Sequence, residues 1–353
     1  MAVRVYLKQA WNLMKQNPLF STLYIVGTGI SIVMTMVIAI VYYVRLAPVY
    51  PETNRMRTLV VKSAKMTNDE STHSANISYA MLKDWFYSLE SAEVSTGVSG
   101  TSYARVTNDK EEIPTYARYT DENFFRVFPL VFLEGKPFTE ADRRSGIHNV
   151  VLTDSYAQQL FGTTKGVVGK NFLMDYTNVK VVGVVKSGSF LTPDSYAQVY
   201  LPYSCRDGYD DEGSHWALGG YRVYILMKES KSVTDVQDEV LELVRKFNVS
   251  DMGDGWKLDL VGQPELYWHS TFRLWSNVAV DWGRVIWMFV GIFMVLLFVP
   301  AFNLSGMISA RMERQLPDLG IRKAFGASRR RLLVQIIWEN LLLTGLGTLD
   351  RKS

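Results

Sequence analysis

The sequence predicts a partial bundle of transmembrane α-helices, two complete and a third begun, carrying a large α+β domain on the outer side of the membrane. Three observations predict it. Two long uncharged apolar stretches lie near the ends of the 353 residues, the stretch between them mixes strand and helix patterns, and short basic segments flank the apolar ones. The formal charge of +3 and the 21% of charged residues average over this partition and hide it. A single cysteine, Cys205, excludes an internal disulfide and any multi-cysteine metal site. His73, His148, His215 and His269 show no metal-ligand spacing such as H-E-x-x-H.

Residues 1–17 read as a cytoplasmic amphipathic helix lying on the membrane surface. Val3, Tyr6, Leu7, Ala10, Trp11 and Met14 recur at helical spacing, and Arg4, Lys8, Asn12 and Lys15 fall on the other side. Such a helix can also pack on a protein domain; the span that follows at once favours the interfacial position. Pro18 then opens the first transmembrane helix, residues 18–46. Leu19 to Val44 carry no charge, and Ile25 to Val44 alone are long enough to cross a hydrocarbon core of about 30 Å at about 1.5 Å per residue. Tyr42, Tyr43 and Arg45 follow where a signal peptide would have small residues, so the helix is expected to stay as an anchor.

Residues 47–282 form the extracytoplasmic domain. Lys180 to Lys186 is apolar on both faces, as in a central strand, and Tyr221 to Lys228 is a second β-rich run. Val233, Val236, Val240, Leu243, Val244 and Phe247 make one helical stripe behind an N-cap at Ser232, and Ser78–Leu89 and Asp154–Phe161 read as further amphipathic helices. This mixture argues an α+β domain of one or two lobes. No binding surface is legible in it.

The second transmembrane helix is placed at 283–308, within the uncharged stretch from Val285 to Ala310. Pro300 and Asn303 fall inside it, and the proline predicts a kink or hinge there. A cytoplasmic loop, 309–330, leads to the start of a third span at 331–349, which carries Glu339, an acid that needs a partner helix, a cavity or the interface. The first segment holds Arg4, Lys8 and Lys15 without an acid, and the stretch from Arg311 to Arg331 holds seven arginines and lysines against Glu313 and Asp318. Both therefore belong in the cytoplasm, with the middle domain outside.

Identity is carried by the loop. Asp318-Leu-Gly-Ile-Arg-Lys-Ala-Phe-Gly-Ala-Ser-Arg-Arg-Arg331, preceded by Arg311-Met-Glu-Arg and followed by Leu332-Leu-Val-Gln-Ile-Ile-Trp-Glu-Asn-Leu-Leu-Leu343, resembles the loop between the second and third helices of the MacB-like and FtsX-like permeases of ABC transporters. In the outer domain, Asp121-Glu-Asn-Phe-Phe-Arg-Val-Phe, Phe132-Leu-Glu-Gly-Lys-Pro-Phe, Val150-Val-Leu-Thr, Phe161-Gly, Val168-Gly-Lys and Val181-Val-Gly-Val-Val look like landmarks of that family's periplasmic core domain. The resemblance implies a MacB-type periplasmic core, an FtsX-like permease segment at 283–349 and residence in a bacterial inner membrane. It also implies four membrane helices, so the chain reads as a C-terminal truncation or gene fragment.

A permease of this kind receives its stroke from an ATPase. The G-x-x-x-x-G-K-[ST] pattern is missing, since Thr164 stands where its first glycine is required and Asn171 follows Gly169-Lys170. ATP and magnesium are thus expected on a separate ATPase subunit, with no cofactor held directly and no enzymatic activity in this chain. The expected coupling residues are Leu319, Gly320, Ile321, Arg322, Lys323, Ala324, Phe325, Gly326, Ala327 and Ser328. Leu319, Ile321, Ala324 and Phe325 supply an apolar ridge and Arg322 and Lys323 a basic flank for docking in a groove. Gly320, Gly326 and Ala327 allow close approach, and Ser328 caps the next helix. Arg329 to Arg331 serve equally well as a lipid-surface anchor. Other expected partners are the bilayer and a second permease, as homo- or heterodimer; nucleic acid is not among them. The alternative is a membrane-anchored sensor or scaffold with a ligand-binding outer domain; a tethered hydrolase lacks a nucleophile elbow, a metal motif and paired acids. Substrate, and export versus mechanical signalling, are not legible.

Overall fold

The computed structural model describes residues 18–107, 112–210, 216–250 and 255–298, together with 321 and 324. The chain divides into two compact units, one comprising Ala39–Val285 and the other Met1–Ile38 with Ile286–Ser353. Helix α1 (Pro18–Leu46) is 29 residues, about 43 Å at helical rise, and its described side chains Ile30, Val33, Met36 and Ile40 are exposed. Side chains at 18–25, 27, 28 and 31 lie outside the description, and among the described residues no helix is long and apolar enough to cross a membrane. The expected membrane crossing rests on the sequence of the whole stretch. Residues 282–298 are also helical, with Ile286, Trp287, Phe293 and Val295 exposed.

The larger unit holds two sheets. Strands β1 (Thr58–Val61), β2 (Ala64–Thr67), β3 (Thr72–Ile77) and β4 (Ala92–Ser99) come first. The chain continues through β5 (Ser102–Thr107), β6 (Glu112–Thr120), β7 (Phe132–Gly135), β8 (Asn149–Thr153), β9 (Asn171–Met174), β10 (Thr177–Val185) and β11 (Val199–Pro202). It returns with β12 (Leu218–Gly219), β13 (Tyr221–Met227), β14 (Lys257–Asp259) and β15 (Glu265–Leu266). The first and last groups form an open sheet in the order β14-β2-β3-β13-β1-β15, with β12 on β3 and β4 on β13. The middle group runs β7-β10-β8-β11-β6-β5-β9, and β9 also pairs with β10, so six strands close on themselves.

Alternation explains the open sheet. Leu59, Val61, Val223 and Ile225 enter one core with Met81, Leu82, Trp85, Val236, Val240 and Phe247, while Val60, Tyr224 and Leu226 point the other way, to Phe124, Phe128 and Tyr267. Helix α2 (Tyr79–Asp84) is capped by Ser78, whose hydroxyl accepts from the Met81 amide at 3.0 Å. The pattern over Ser78–Leu89 predicts one helix, but it breaks at Trp85 into a 3-10 turn over Phe86–Ser88, which turns Phe86 into the core. Three further helices are α3 (Phe124–Val127), α4 (Glu140–Arg144) and α5 (Asp154–Phe161). Helix α6 (Val233–Val249) begins with a capping box between Ser232 and Asp235 and buries Val236, Val240, Val244 and Phe247.

The closed sheet is filled by Ala104, Val106, Ala117, Val150, Leu152, Phe172, Val181, Val184, Val199 and Leu201. Of the run from Lys180 to Lys186, residues 180–185 form the C-terminal part of β10, which pairs with β7, β8 and β9, and Lys186 follows the strand. Two glycines in the landmark motifs have steric reasons. A Cβ on Gly135, whose φ is +71°, would stand 2.1 Å from the Val182 carbonyl oxygen, and one on Gly183 would meet Lys136 O at 2.7 Å and the Phe132 ring at 2.8 Å. Both positions let β7 and β10 approach.

Candidate functional site

Of the predicted coupling residues, Ile321 and Ala324 are described, both helical and exposed. Leu319, Gly320, Arg322, Lys323, Phe325, Gly326, Ala327 and Ser328 lie outside the described residues, as do Pro300, Asn303 and Glu339. What the described residues bring together, within Ala39–Val285, is a buried charged network beside the C-terminal end of α1.

The network starts from an elementary need. The last turn of a helix leaves carbonyls without partners. At the end of α1, Arg55 donates from Nη1 to the Val44 carbonyl at 2.7 Å, and from Nη2 to the Glu52 carboxylate. The two side chains are 4% and 0% exposed. Glu52 also accepts from the Ser195 hydroxyl at 2.7 Å, so a residue of the loop between β10 and β11 is tied to the exit of α1. The Arg55 guanidinium lies 5.1 Å from the Tyr267 ring centre, and the Tyr267 amide donates to the Thr58 carbonyl at 2.8 Å. Tyr267 stands just after β15, the edge strand paired with β1.

The same edge receives the second junction. Arg273 donates from Nε to Glu265 on β15, and the Trp282 ring packs against His269 and Phe272 at 5.3 and 5.9 Å between centres. Asp281 accepts from the Arg284 amide at 3.0 Å, a carboxylate placed at the positive end of the helix that begins at 282. One further residue joins the sheets. Asp194, in the β10–β11 loop, accepts from Lys62 at 3.0 Å and from Arg222 of β13 at 3.1 Å. Burial pushes the Asp194 carboxyl up, but Lys62, Arg222 and Arg118 outweigh it and hold it well below the usual carboxylate range. Lys62 also lies 5.7 Å from the Tyr267 ring, which closes the circuit.

A second buried cluster lies between the sheets. Asp121, at the end of β6, accepts from Tyr87 Oη at 2.5 Å, Thr96 Oγ1 at 2.6 Å, the Gly97 amide at 2.9 Å and the Phe124 amide at 3.1 Å. Its donors are neutral. Burial therefore prevails over these hydrogen bonds and pushes its carboxyl up to about 6. Beside it, Arg143 makes a two-bond pair with Glu122 at 2.8 and 3.1 Å and donates to Tyr203 Oη at 2.9 Å. This explains the Asp121-Glu-Asn-Phe-Phe-Arg-Val-Phe landmark, whose Phe124, Phe125 and Phe128 are core residues.

Neither cluster has the nucleophile and base of a catalytic site, and among the described residues no group of histidine, cysteine and acidic side chains could hold a metal ion. Cys205 is half-buried, with its thiol pushed up to about 12 by burial, which makes it a poor target for thiol reagents. Reading the sequence alone does not single out Glu52, Arg55, Lys62, Asp194 or Arg222; the one local signal is an acid and a base three residues apart directly after an apolar helix.

The description "MacB-like periplasmic core domain" matches residues 20–243, and "FtsX-like permease C-terminal" matches 277–349. The pyoverdine export ATP-binding/permease protein PvdT of Pseudomonas fluorescens Pf0-1 is 24% identical over 244 residues, 66% of this chain and 33% of that protein. The macrolide export ATP-binding/permease protein MacB of Escherichia coli K12 is 21% identical over 244 residues, 69% of this chain and 35% of that protein. The chain thus spans about a third of the length of the curated relatives it matches. The crystallised periplasmic region of MacB from Actinobacillus actinomycetemcomitans aligns with a TM-score of 0.40 and 16% identity over 56% of this chain and 88% of that one.

Proposed function

This chain belongs to the family with a MacB-like periplasmic core domain and an FtsX-like permease segment, and on that premise we propose that it is a permease subunit of an ABC transporter. In this role it turns ATP hydrolysis on a separate ATPase subunit into movement of the 47–282 domain. The helices at 18–46 and from 282 onward cross the bacterial inner membrane, the N-terminus and the 309–330 loop face the cytoplasm, and 47–282 is periplasmic. The uncharged run from Leu19 to Val44 and the basic segments beside the apolar stretches support this topology.

The observation that carries the proposal is the convergence of both helix junctions on one sheet edge. Arg55 grips the end of α1 and leans on Tyr267, and Trp282 packs on the turn that follows Tyr267. Buried ion pairs have few alternative arrangements, since removing either partner strands a charge. A displacement of either helix is therefore passed to β1 and β15, and through Asp194 and Ser195 to the closed sheet. On the cytoplasmic side, Leu319 to Ser328 take the push from the ATPase; the glycines and apolar ridge fit a helix seated in a groove better than a simple lipid anchor does. The permease acts as a dimer with itself or a related chain, and the two export proteins it resembles join ATP-binding and permease functions under one name.

The test is a Gly320→Trp variant reconstituted with its ATPase in liposomes. ATP hydrolysis should continue while the ATP-driven change in accessibility of labels on the 47–282 domain is lost, and membrane insertion should be unchanged. If that movement persists undiminished, the loop does not couple. If the intact protein shows no ATP-dependent movement but binds a ligand through its outer domain, the sensor alternative replaces the permease.

A further inference from the structure

We infer that the loop Leu274–Val278 is a lipid-interface foot, built to sit among the headgroups beside the point where the 282–298 helix enters the bilayer. The inference rests on the membrane reading above and adds a contact surface and its partner.

The loop is apolar, exposed and held rigidly, a combination that water disfavours. Leu274 is 60% exposed and Trp275 67%, and Val278 is exposed as well. From Leu274 to Val280 there is no charged residue. Yet the backbone is closed into a small ring. The Val278 amide donates to the Trp275 carbonyl at 3.1 Å, and Arg273 donates from Nη1 to the Val278 carbonyl at 2.7 Å. Arg273 is itself anchored below, donating from Nη2 to the Val261 carbonyl at 2.9 Å and from Nε to Glu265, and its side chain is only 3% exposed. A buried arginine is thus committed to presenting two large apolar side chains outward.

The position of the loop selects the occupant. Phe272, immediately before the clamp, packs on Trp282 at 5.9 Å between ring centres, which places the root of the loop beside the first residue of the helix. From Val278 to Trp282 the chain can extend about 14 Å at most, and Asp281 is occupied at the helix start. A helix entering lipid at 282 therefore carries the loop to the headgroup layer, where tryptophan is favoured because its ring is apolar and its N–H finds an acceptor. In sequence, too, no charged residue falls between Leu274 and Val280, just ahead of the helix start. The foot sets the height of the 47–282 domain over the membrane, so that helix movement turns into domain movement instead of sinking or tilting.

The test uses the full chain in vesicles of phosphatidylethanolamine and phosphatidylglycerol, with Cys205→Ala as background and an environment-sensitive fluorophore on Trp275→Cys or, separately, Leu274→Cys. A Val33→Cys variant reports on α1. Quenching of the loop label should be about twofold or more stronger with a headgroup spin label than with a mid-chain one, and the order should reverse for the α1 label. If the α1 label is quenched by lipid while both loop labels are reached by aqueous iodide, the foot is overturned and the span stands. If the loop labels are shielded from iodide and lipid alike and show energy transfer between subunits, a second copy covers the loop and the proposal fails. If the α1 label is not quenched by lipid, the membrane reading itself has failed.

Discussion

Asp194 and Asp121 are both buried carboxylates that tie the two sheets together, yet their surroundings move them in opposite directions. Asp194 is 6% exposed and faces Lys62 and Arg222, with Arg118 near; it is held well below its ordinary value. Asp121 is 0% exposed and faces a tyrosine, a threonine and two backbone amides; it rises to about 6. Burial is nearly the same, so the charge of the partners decides. The network around Asp194 is built from buried ion pairs, which strongly resist rearrangement. The cluster around Asp121 is held by neutral donors and responds to pH.

The sharpest way to break this comparison is in the ion-pair network. Arg55→Ala leaves Glu52 buried without its cation and the Val44 carbonyl without a donor, and should cost about 3 to 5 kcal/mol in denaturant unfolding of the detergent-solubilised protein. Asp194→Asn should cost slightly less, about 2 to 4 kcal/mol, because Lys62 keeps some access to water and an amide oxygen can still accept. The loss should be nearly constant between pH 5 and 8, since Asp194 is ionised throughout.

At the Asp121 cluster the expected effect is one of pH. The folded state holds the Asp121 proton more tightly than the unfolded chain, where the ordinary value is near 3.8. Its contribution is fully present below that value and is lost as pH rises through about 6, a change of about 3 kcal/mol in all. Asp121→Asn should flatten this part of the stability profile between pH 4 and 7. A profile unchanged by the substitution would show that Asp121 is not the titrating group. Smallest is Tyr87→Phe, which removes one donor and should cost about 1 to 2 kcal/mol at pH 8, where the carboxylate is charged, and less at pH 5.

Legibility differed along the chain for physical reasons. The α6 stripe and its Ser232 cap, the helix at Asp154–Phe161 and the strand from Tyr221 all follow local periodicity, and the structure has them. The stretch at Ser78–Leu89 misled because Trp85 and Phe86 are needed in a core that helical continuation would not let them reach together. The ion-pair network was illegible because, beyond the neighbours 52 and 55, its members lie at 62, 194, 222 and 267, and no local pattern joins residues so far apart.

By itself the sequence determined the partition into apolar stretches, basic flanks and an α+β middle, since hydropathy and period are properties of neighbouring residues. It also held the loop motif and landmarks that place the chain in its family. Only the tertiary structure decided which charges are buried together, that six strands close on themselves, and that both helix junctions meet at one sheet edge. Those outcomes depend on pairing between distant segments, where a charge is stabilised or stranded according to what the fold brings beside it.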